Sequence, residues 1–510
     1  MNIIIPMSGL GSRFIDAGYK EIKPLVKVFN KPIIKYIVEK FSPEDNFIFV
    51  CRQEHLSNKE IKLESYLNSL AKNTTILEVE NHKLGPVHSI LKVEEIIKDL
   101  GELVVNYCDF DWRWDYENFK LWLETEKPDA AICVYSGFQP HYINPATYAY
   151  TRSEQHNVLE IREKQSFTKY REEEPAASGT FYFSSAEALL DSCKWLINKN
   201  EHINGEFYVS LLFNYFPQKK LRTLNYFISH FMQWGTPRDL EEFIFFARKI
   251  PQKFLENKLN CPTITLMAGK GNRMKSIDSV KKPYLKVRDE CLFSFCTKNF
   301  YSEKLNILAV NGDKEDMKYV NNSPNTKFVL VGETKSSVET LLIATEDKNL
   351  SPNEAIFVMP CDASIDVNWT SFNAKISGKH NCEGVVFSYE EYPYARWNPE
   401  QYGWLEIGED QLVCKVGLKT GWNADFSNPM ITGYFWFPNI GKLRNNLKLF
   451  FKSRGKDKSE PSIDEFIHYL IHCNKKVHSF PANDFLCLGI PLELRAYEYW
   501  LDADQKSRLR

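Results

Sequence analysis

The sequence predicts two tandem α/β domains, each a doubly wound and mainly parallel sheet, one over residues 1–250 and a divergent one over 257–510. Three observations predict this. The chain has 510 residues, more than the roughly 250–300 over which a single hydrophobic core keeps growing. Short apolar or β-branched runs alternate with helical stretches: NIIIPM, NKPIIKYIVEKF, NFIFVC, ELVVNYC and AAICVYS follow in that order. Such alternation is the pattern of strands joined by crossover helices. Finally, the chain repeats itself.

MSGLGSRF, with Gly9, Gly11 and Arg13, returns as MAGKGNRM, with Gly269, Gly271 and Arg273, at an offset of 260 residues. Lys23-Pro24 returns as Lys282-Pro283, and Cys108-Asp109 as Cys361-Asp362. SGTFYF from Ser178 matches TGYFWF from Thr432, and WGTPRDL from Trp234 matches LGIPLEL from Leu488, both at an offset of 254. Several short matches kept in order are much harder to obtain by chance than any one of them. The boundary falls in IPQKFLENKLN, near residues 250–260, which is expected to be a short helical or irregular linker.

Composition narrows the function classes. An apolar fraction of 43% and a charged fraction of 25% belong to an ordinary globular protein with ample core. With 64 Lys and Arg against 66 Asp and Glu, no global basic field is present to hold nucleic acid or an anionic membrane, so phosphate binding must be local. The 12 cysteines are scattered without a Cys-x-x-Cys pair, which argues against a zinc site or disulfide scaffold and for reduced thiols. The N-terminus lacks a cationic segment before its apolar run, and no run reaches the ~20 apolar residues of a membrane helix. A soluble, cytoplasmic protein without membrane insertion is expected.

In a doubly wound sheet, ligands collect at the carboxyl ends of the strands. Both glycine loops and both Cys-Asp pairs directly follow strand-like runs. A strand followed by Gly-x-Gly-x-Arg lets backbone N–H groups approach a polyphosphate while the guanidinium meets its oxygens. Taken alone, such a loop is as often a plain strand-to-helix turn. Lys23, ahead of a proline that fixes the local backbone, brings a second cation and favours the phosphate reading. The loop is neither a Walker A motif nor Gly-x-Gly-x-x-Gly, which weakens kinase and dehydrogenase readings. Asp109 ends the strand LVVNYC, where a carboxylate can hold Mg²⁺ against phosphate oxygens. An isolated strand-end aspartate more often caps a turn, but recurrence as Asp362 tips the balance. The DFD at Asp109–Asp111 supports a rival, the Asp-x-Asp of glycosyltransferases using nucleotide sugars; it is not repeated after Asp362.

Together, Gly-x-Gly-x-Arg-Phe…Lys-Pro-Leu, the strand-end Asp109, Glu163-Lys164, SGTFYF, NGEFYVS from Asn204 and HFMQWGTPRDL from His230 resemble the sugar-phosphate nucleotidyltransferase superfamily, in its bacterial branch of capsule and surface-polysaccharide synthesis. The resemblance covers residues 1–245 and implies a Rossmann-like fold and a cytoplasmic, Mg²⁺-dependent enzyme. Such an enzyme joins a nucleoside triphosphate to a phosphorylated small molecule, foremost a sugar 1-phosphate, and releases pyrophosphate. It further implies that Arg13, Lys23 and Asp109 are catalytic, that Ser8, Gly9, Gly11 and Gly85 bind nucleotide, and that Glu163, Lys164, Gly179 and Glu206 bind the acceptor. In the second copy Gly269, Gly271, Arg273 and Lys282 would bind nucleotide. Metal positions would be Asp109, Gln233 and Asp362. Where relatives carry a second metal-binding Asp or Asn, this chain has Gln233 and Cys487, and a thiol is a poor partner for hard Mg²⁺. The second copy also lacks the Glu-Lys pair; Lys415 or Lys419 would replace only the cation. It is therefore expected to bind a nucleotide-like ligand without serving the same acceptor, or to be a decayed copy.

The nucleobase, the acceptor and the oligomeric state are not written in the sequence, and a homo-oligomer is left open. A cytidylyltransferase acting on a non-sugar phosphate and a non-catalytic nucleotide sensor are the further alternatives. The aromatic run DFDWRWDYENF lacks flanking cations for a nucleic-acid surface and is expected to form a wall beside the site or at a domain interface. REEEPAASG is expected to be a solvated loop.

Overall fold

The computed structural model describes the whole chain apart from residues 144–147, 251–253, 255, 277–279, 314–315, 320–324, 378–380, 419–427, 456–459 and 507–510. The chain forms two compact units, Met1–Ile250 with Tyr499–Arg510, and Pro251–Glu498.

Among the described residues of the first unit, nine strands form one sheet. Its order is Asn73–Val79, Asn46–Arg52, Asn2–Met7, Leu103–Asn106, Ala176–Phe183, Ala130–Tyr135, Thr223–Phe227, Asn157–Glu163 and Ala149–Glu154. The first four are mutually parallel. Ala176–Phe183 runs antiparallel to both neighbours, and Asn157–Glu163 does the same. The fold is thus α/β with a mixed sheet. Every residue of Ala130–Tyr135 and of Ala176–Phe183 is buried, as befits central strands covered on both faces. Successive side chains alternate between two cores: Ile4 packs with Val87, Ile90 and Val105 on one face, while Ile3 and Ile5 pack with Ile34, Ile37 and Phe49 on the other.

The second unit repeats this order with Thr326–Leu330, Asn306–Val310, Thr263–Leu266, Ile356–Pro360, Met430–Phe437, Cys382–Tyr389 and Lys476–Pro481. The hairpin Gly403–Ile407 with Val413–Leu418 joins at Met430. Met430–Phe437 is again the antiparallel strand at the centre.

Three local expectations change. The end of the linker is a strand, Asn257–Leu259, paired in parallel with Phe300–Ser302. The aromatic run builds core: Trp112, Tyr116 and Phe119 are buried, and Phe41 lies edge-on to Trp112, Trp114 and Tyr116. REEEPAASG is not simply solvated, because Glu174 is buried and accepts hydrogen bonds from the Phe167 and Thr168 N–H groups and the Thr168 hydroxyl. A carboxylate that organises a turn this way is shielded by the turn it makes.

Candidate active site

In the first unit the strand Asn2–Met7 runs into Ser8, Gly9 and Gly11, and the helix Ser12–Asp16 follows at once. Gly11 has φ +69°, the left-handed region that glycine adopts without steric cost. A Cβ there would stand 3.0 Å from the Lys23 Cβ, so the turn lies directly on the lysine stem. Lys23 opens the short helix Lys23–Leu25 and its Nζ donates to Asp109 Oδ2 at 2.7 Å. Asp109 sits just beyond the parallel strand Leu103–Asn106, where a second small sheet begins: Phe110–Arg113 pairs antiparallel with His230–Gln233. That pairing sets Gln233 opposite Phe110 and ties the Trp234 N–H to the Asp109 carbonyl at 3.1 Å. At Gly235 a Cβ would lie 2.7 Å from Gln233 Nε2 and 3.2 Å from Asp109 Oδ2, so a side chain there would have to displace the Gln233 amide. Arg13 is exposed at the mouth of the loop, within electrostatic reach of Tyr208 and Asp239.

Ser8 is buried, and its hydroxyl lies 2.5 Å from that of Ser89, which in turn meets His82 Nε2 at 2.9 Å. The buried Arg52 guanidinium donates to the Ser8 and His82 carbonyls, pinning the glycine loop to the next strand. Gly85 has φ +87°, and a Cβ on it would fall 2.7 Å from both the N and the O of Phe207. These Phe207 atoms hydrogen-bond the Leu84 carbonyl and the Val87 N–H, so the Gly85 segment lies backbone to backbone on the Glu206 loop.

Glu163, Lys164 and Glu206 come together. Lys164 Nζ donates to the Tyr208 hydroxyl at 2.6 Å, and that hydroxyl donates to Glu206. The Ser210 hydroxyl donates to Glu163 Oε2 at 2.5 Å. Burial pushes the Glu163 carboxyl up to about 7, with Glu206 adding to the rise while Ser210 and Lys164 oppose it. Gly179 has φ +105°, in the strand Ala176–Phe183 where its register with Ala130–Tyr135 slips. A Cβ there would meet the Phe110 ring at 2.7 Å, so Gly179 makes room for the residue next to Asp109.

The second carboxylate of DFD does not join Asp109. Asp111 is buried, paired with Lys40 at 2.5 Å and bonded to the Trp112 N–H, which removes the structural basis for an Asp-x-Asp metal clamp.

The second unit rebuilds the phosphate end. Gly271 has φ +57° and a Cβ would meet the Lys282 Cβ at 2.7 Å, while Lys282 pairs with Asp362. Burial alone would push the Lys282 ammonium down, but Asp362 beside it reverses this and the net shift is upward. Ala363 pairs with Cys487 in a small antiparallel sheet like that at Gln233. Gly269 is open above its Cα and Arg273 is exposed, as at Gly9 and Arg13. Ser336 replaces Gly85: its backbone is extended, and its hydroxyl caps the helix Ser337–Thr345 by accepting from the Glu339 N–H at 3.1 Å. Lys415 is exposed opposite Glu406, and Lys419 lies outside the described residues.

Sequence reasoning missed Ser210 and Tyr208, which hold Glu163 and Lys164, although both lie in the NGEFYVS segment. It also missed Asp239, which is hydrogen-bonded to Thr236 and Gln233; the Thr-x-x-Asp spacing of a capping box was its signal. The second unit carries Glu493 there, buried and hydrogen-bonded by Tyr392, Tyr402 and Cys487. Among the described residues no group of three or more His, Cys, Asp or Glu could hold a metal, and no helix is long and apolar enough to cross a membrane.

No family model matches the chain. A segment of 148 residues, 28% of the chain, is 26% identical to the bifunctional protein GlmU of Methanococcus maripaludis and spans 34% of the length of that relative. Among solved structures, the nucleoside-diphosphate-sugar pyrophosphorylase of Vibrio cholerae RC9 matches 48% of this chain and 99% of its own, at 18% identity and a TM-score of 0.39. A UTP-bound UGPase from Acinetobacter baumannii matches 49% of this chain and 94% of its own, at 15% identity and a TM-score of 0.37.

Proposed function

We propose that the first unit is a nucleotidyltransferase that joins a nucleoside triphosphate to a phosphorylated small molecule, a sugar 1-phosphate foremost, in the synthesis of surface polysaccharide. The partial likeness to GlmU supports the nucleotidyltransferase superfamily at the coarse level. The observation that carries the reading is the Lys23–Asp109 pair held against Gly11 at the sheet edge. An ammonium and a carboxylate beside the open backbone of Gly9 are the groups that a bound triphosphate with its metal would call on, which supports the reading.

In this reading the acceptor's phosphate oxygen attacks the α-phosphorus in line and pyrophosphate leaves, so catalysis is positioning and charge neutralisation rather than covalent chemistry. Arg13, exposed and unencumbered by core packing, swings onto the leaving pyrophosphate. Lys23 leaves Asp109 for the phosphates. Glu163, once ionised, accepts hydroxyl hydrogen bonds from the acceptor, and Lys164 meets its phosphate. The protein residues fit Mg²⁺ only in the substrate-borne manner: Asp109 offers one carboxylate and Gln233 one amide oxygen, with phosphates and water supplying the rest. Mg²⁺ so held would offset charge on the triphosphate. Cys487, a soft thiol hydrogen-bonded to Glu493, makes Asp362 a weaker metal position. The shared strand order and the paired glycine–lysine–aspartate geometry support a tandem duplication, with the repeats at 1–250 and 257–510, although Tyr499–Arg510 belongs to the first compact unit.

The test is a matrix of four nucleoside triphosphates against phosphorylated sugars, polyols and phosphocholine, with pyrophosphate as readout. Release that needs both substrates, and falls with Asp109→Ala, supports the reading. Release of nucleoside diphosphate from a nucleotide sugar, without any from triphosphate, would favour glycosyl transfer instead.

A further inference from the structure

The second unit contains a cavity of about 980 Å³ that runs from Gly271 and Lys282 past Asp362 to Gly403 and Asp464. Its phosphate end matches that of the first unit, but its far end has been rebuilt. In the first unit Glu163 faces Ala149 across the strand pair and is held by Ser210. The offset of 254 residues sets Gly403 at the place of Ala149 and Asp464 at the place of Ser210. The register pairs Gly403 with Leu418, so a leucine stands where Glu163 would be. The carboxylate comes instead from the opposite side: Asp464 Oδ2 lies 2.6 Å from the point a Cβ on Gly403 would occupy. Loss of the alanine methyl and gain of an acid at the serine position are complementary changes, and together they bring a carboxylate back into the cavity. Asp464 is the second residue of the helix Ile463–His472, whose N-terminus is capped by Ser462.

We propose that this cavity binds a nucleoside diphosphate bonded to a hydroxylated group, a sugar or polyol, and that Asp464 accepts its hydroxyl hydrogen bonds. The volume suits such a ligand, at the upper end of small-molecule pockets. At the other end the paired Thr334 and Thr340 hydroxyls, 2.7 Å apart, and the Ser336 loop line the cavity where a base would lie. The inference rests on the phosphate-loop reading above, and gives a chemical class to the nucleotide-like ligand expected of the second copy.

The test uses the full chain carrying Arg13→Ala and Asp109→Ala, titrated calorimetrically with the glucose conjugates of UDP, CDP, ADP, GDP and dTDP and with the five nucleoside diphosphates alone. At least one conjugate should bind, and Arg273→Ala should weaken both it and its diphosphate. Asp464→Asn should weaken the conjugate roughly ten- to a hundredfold, as for a lost hydrogen bond to a charged group, with the diphosphate unchanged within twofold. Gly403→Ala puts a methyl where the carboxylate stands and should reproduce the same selective loss. Binding by none of the probes overturns the proposal, as does an Asp464→Asn effect that is absent or equal on both ligand forms. Pyrophosphate release does not enter this readout, so failure of the transferase reading would be seen separately.

Discussion

Replacing Glu163 with glutamine should stabilise the protein at alkaline pH while impairing the acceptor site. Burial raises this carboxyl from its ordinary 4.5 to about 7 in the folded chain. The unfolded chain therefore loses its proton first, and stability falls as pH climbs from 4.5 through 7. The effect is fully absent below 4.5 and complete above 7. At about 1.4 kcal/mol per pH unit, the displacement is worth about 3 kcal/mol. Glutamine keeps the shape and can still accept from Ser210, so Glu163→Gln mimics the protonated residue. Urea unfolding at a series of pH values checks this: the variant and wild type should agree near pH 4.5, and the variant should be more stable by about 3 kcal/mol at pH 8. A stability difference that stays constant from pH 5 to 8 would refute the buried, neutral-leaning carboxyl. In the transfer assay, the wild-type KM for acceptor should fall as pH rises through 7, and the variant should lose that dependence.

Asp109→Ala should lower pyrophosphate release about 10²–10³-fold, the usual loss for one electrostatic contact to a reacting group, with circular dichroism unchanged; near wild-type turnover would remove Asp109 from the chemistry. Lys23→Met should weaken triphosphate binding yet tighten binding of Mg²⁺ alone, because Asp109 loses its 2.7 Å partner; unchanged Mg²⁺ affinity by calorimetry would count against the ion pair. Gly85→Ala forces a Cβ to within 2.7 Å of two Phe207 backbone atoms at φ +87° and should cost at least ~1–3 kcal/mol in unfolding. Ser336→Ala, at the matching place, should cost only the ~0.5–2 kcal/mol of a helix cap; equal costs would show that the two loops are built alike.

How far the sequence reached depended on whether a feature was local. Gly11, Lys23 and Asp109 were legible because a glycine turn, a Lys-Pro step and a strand-end acid each leave a short signature, and each occurs twice. The mixed character of the sheet was less so: Ala176–Phe183 reads as one more buried apolar strand, and nothing within it states its direction. Glu163 could be named but not its burial, which comes from Ser210 and Glu206 some forty residues onward. Asp111 appeared as half of a metal motif because its partner, Lys40, lies in a distant helix end. In the second unit the proximity of Asp464 to Gly403 has no signature in the sequence. A motif comparison sees only that Glu163 has no counterpart, whereas Asp464 sits on a different element and its nearness to Gly403 shows only in the fold.

If the proposed phosphate and metal roles hold, the ion pair between lysine and aspartate, built in both units, would act as a coincidence filter. A lone cation that takes the carboxylate leaves an ammonium stranded, and a lone phosphate that takes the ammonium leaves a carboxylate facing it. Either guest alone must overcome an interaction that already satisfies the cleft. A ligand that brings both charges at once exchanges one pair for two and strands neither. Abundant free phosphate and free divalent ions would thereby be kept at low occupancy, without any lid having to close over the cleft.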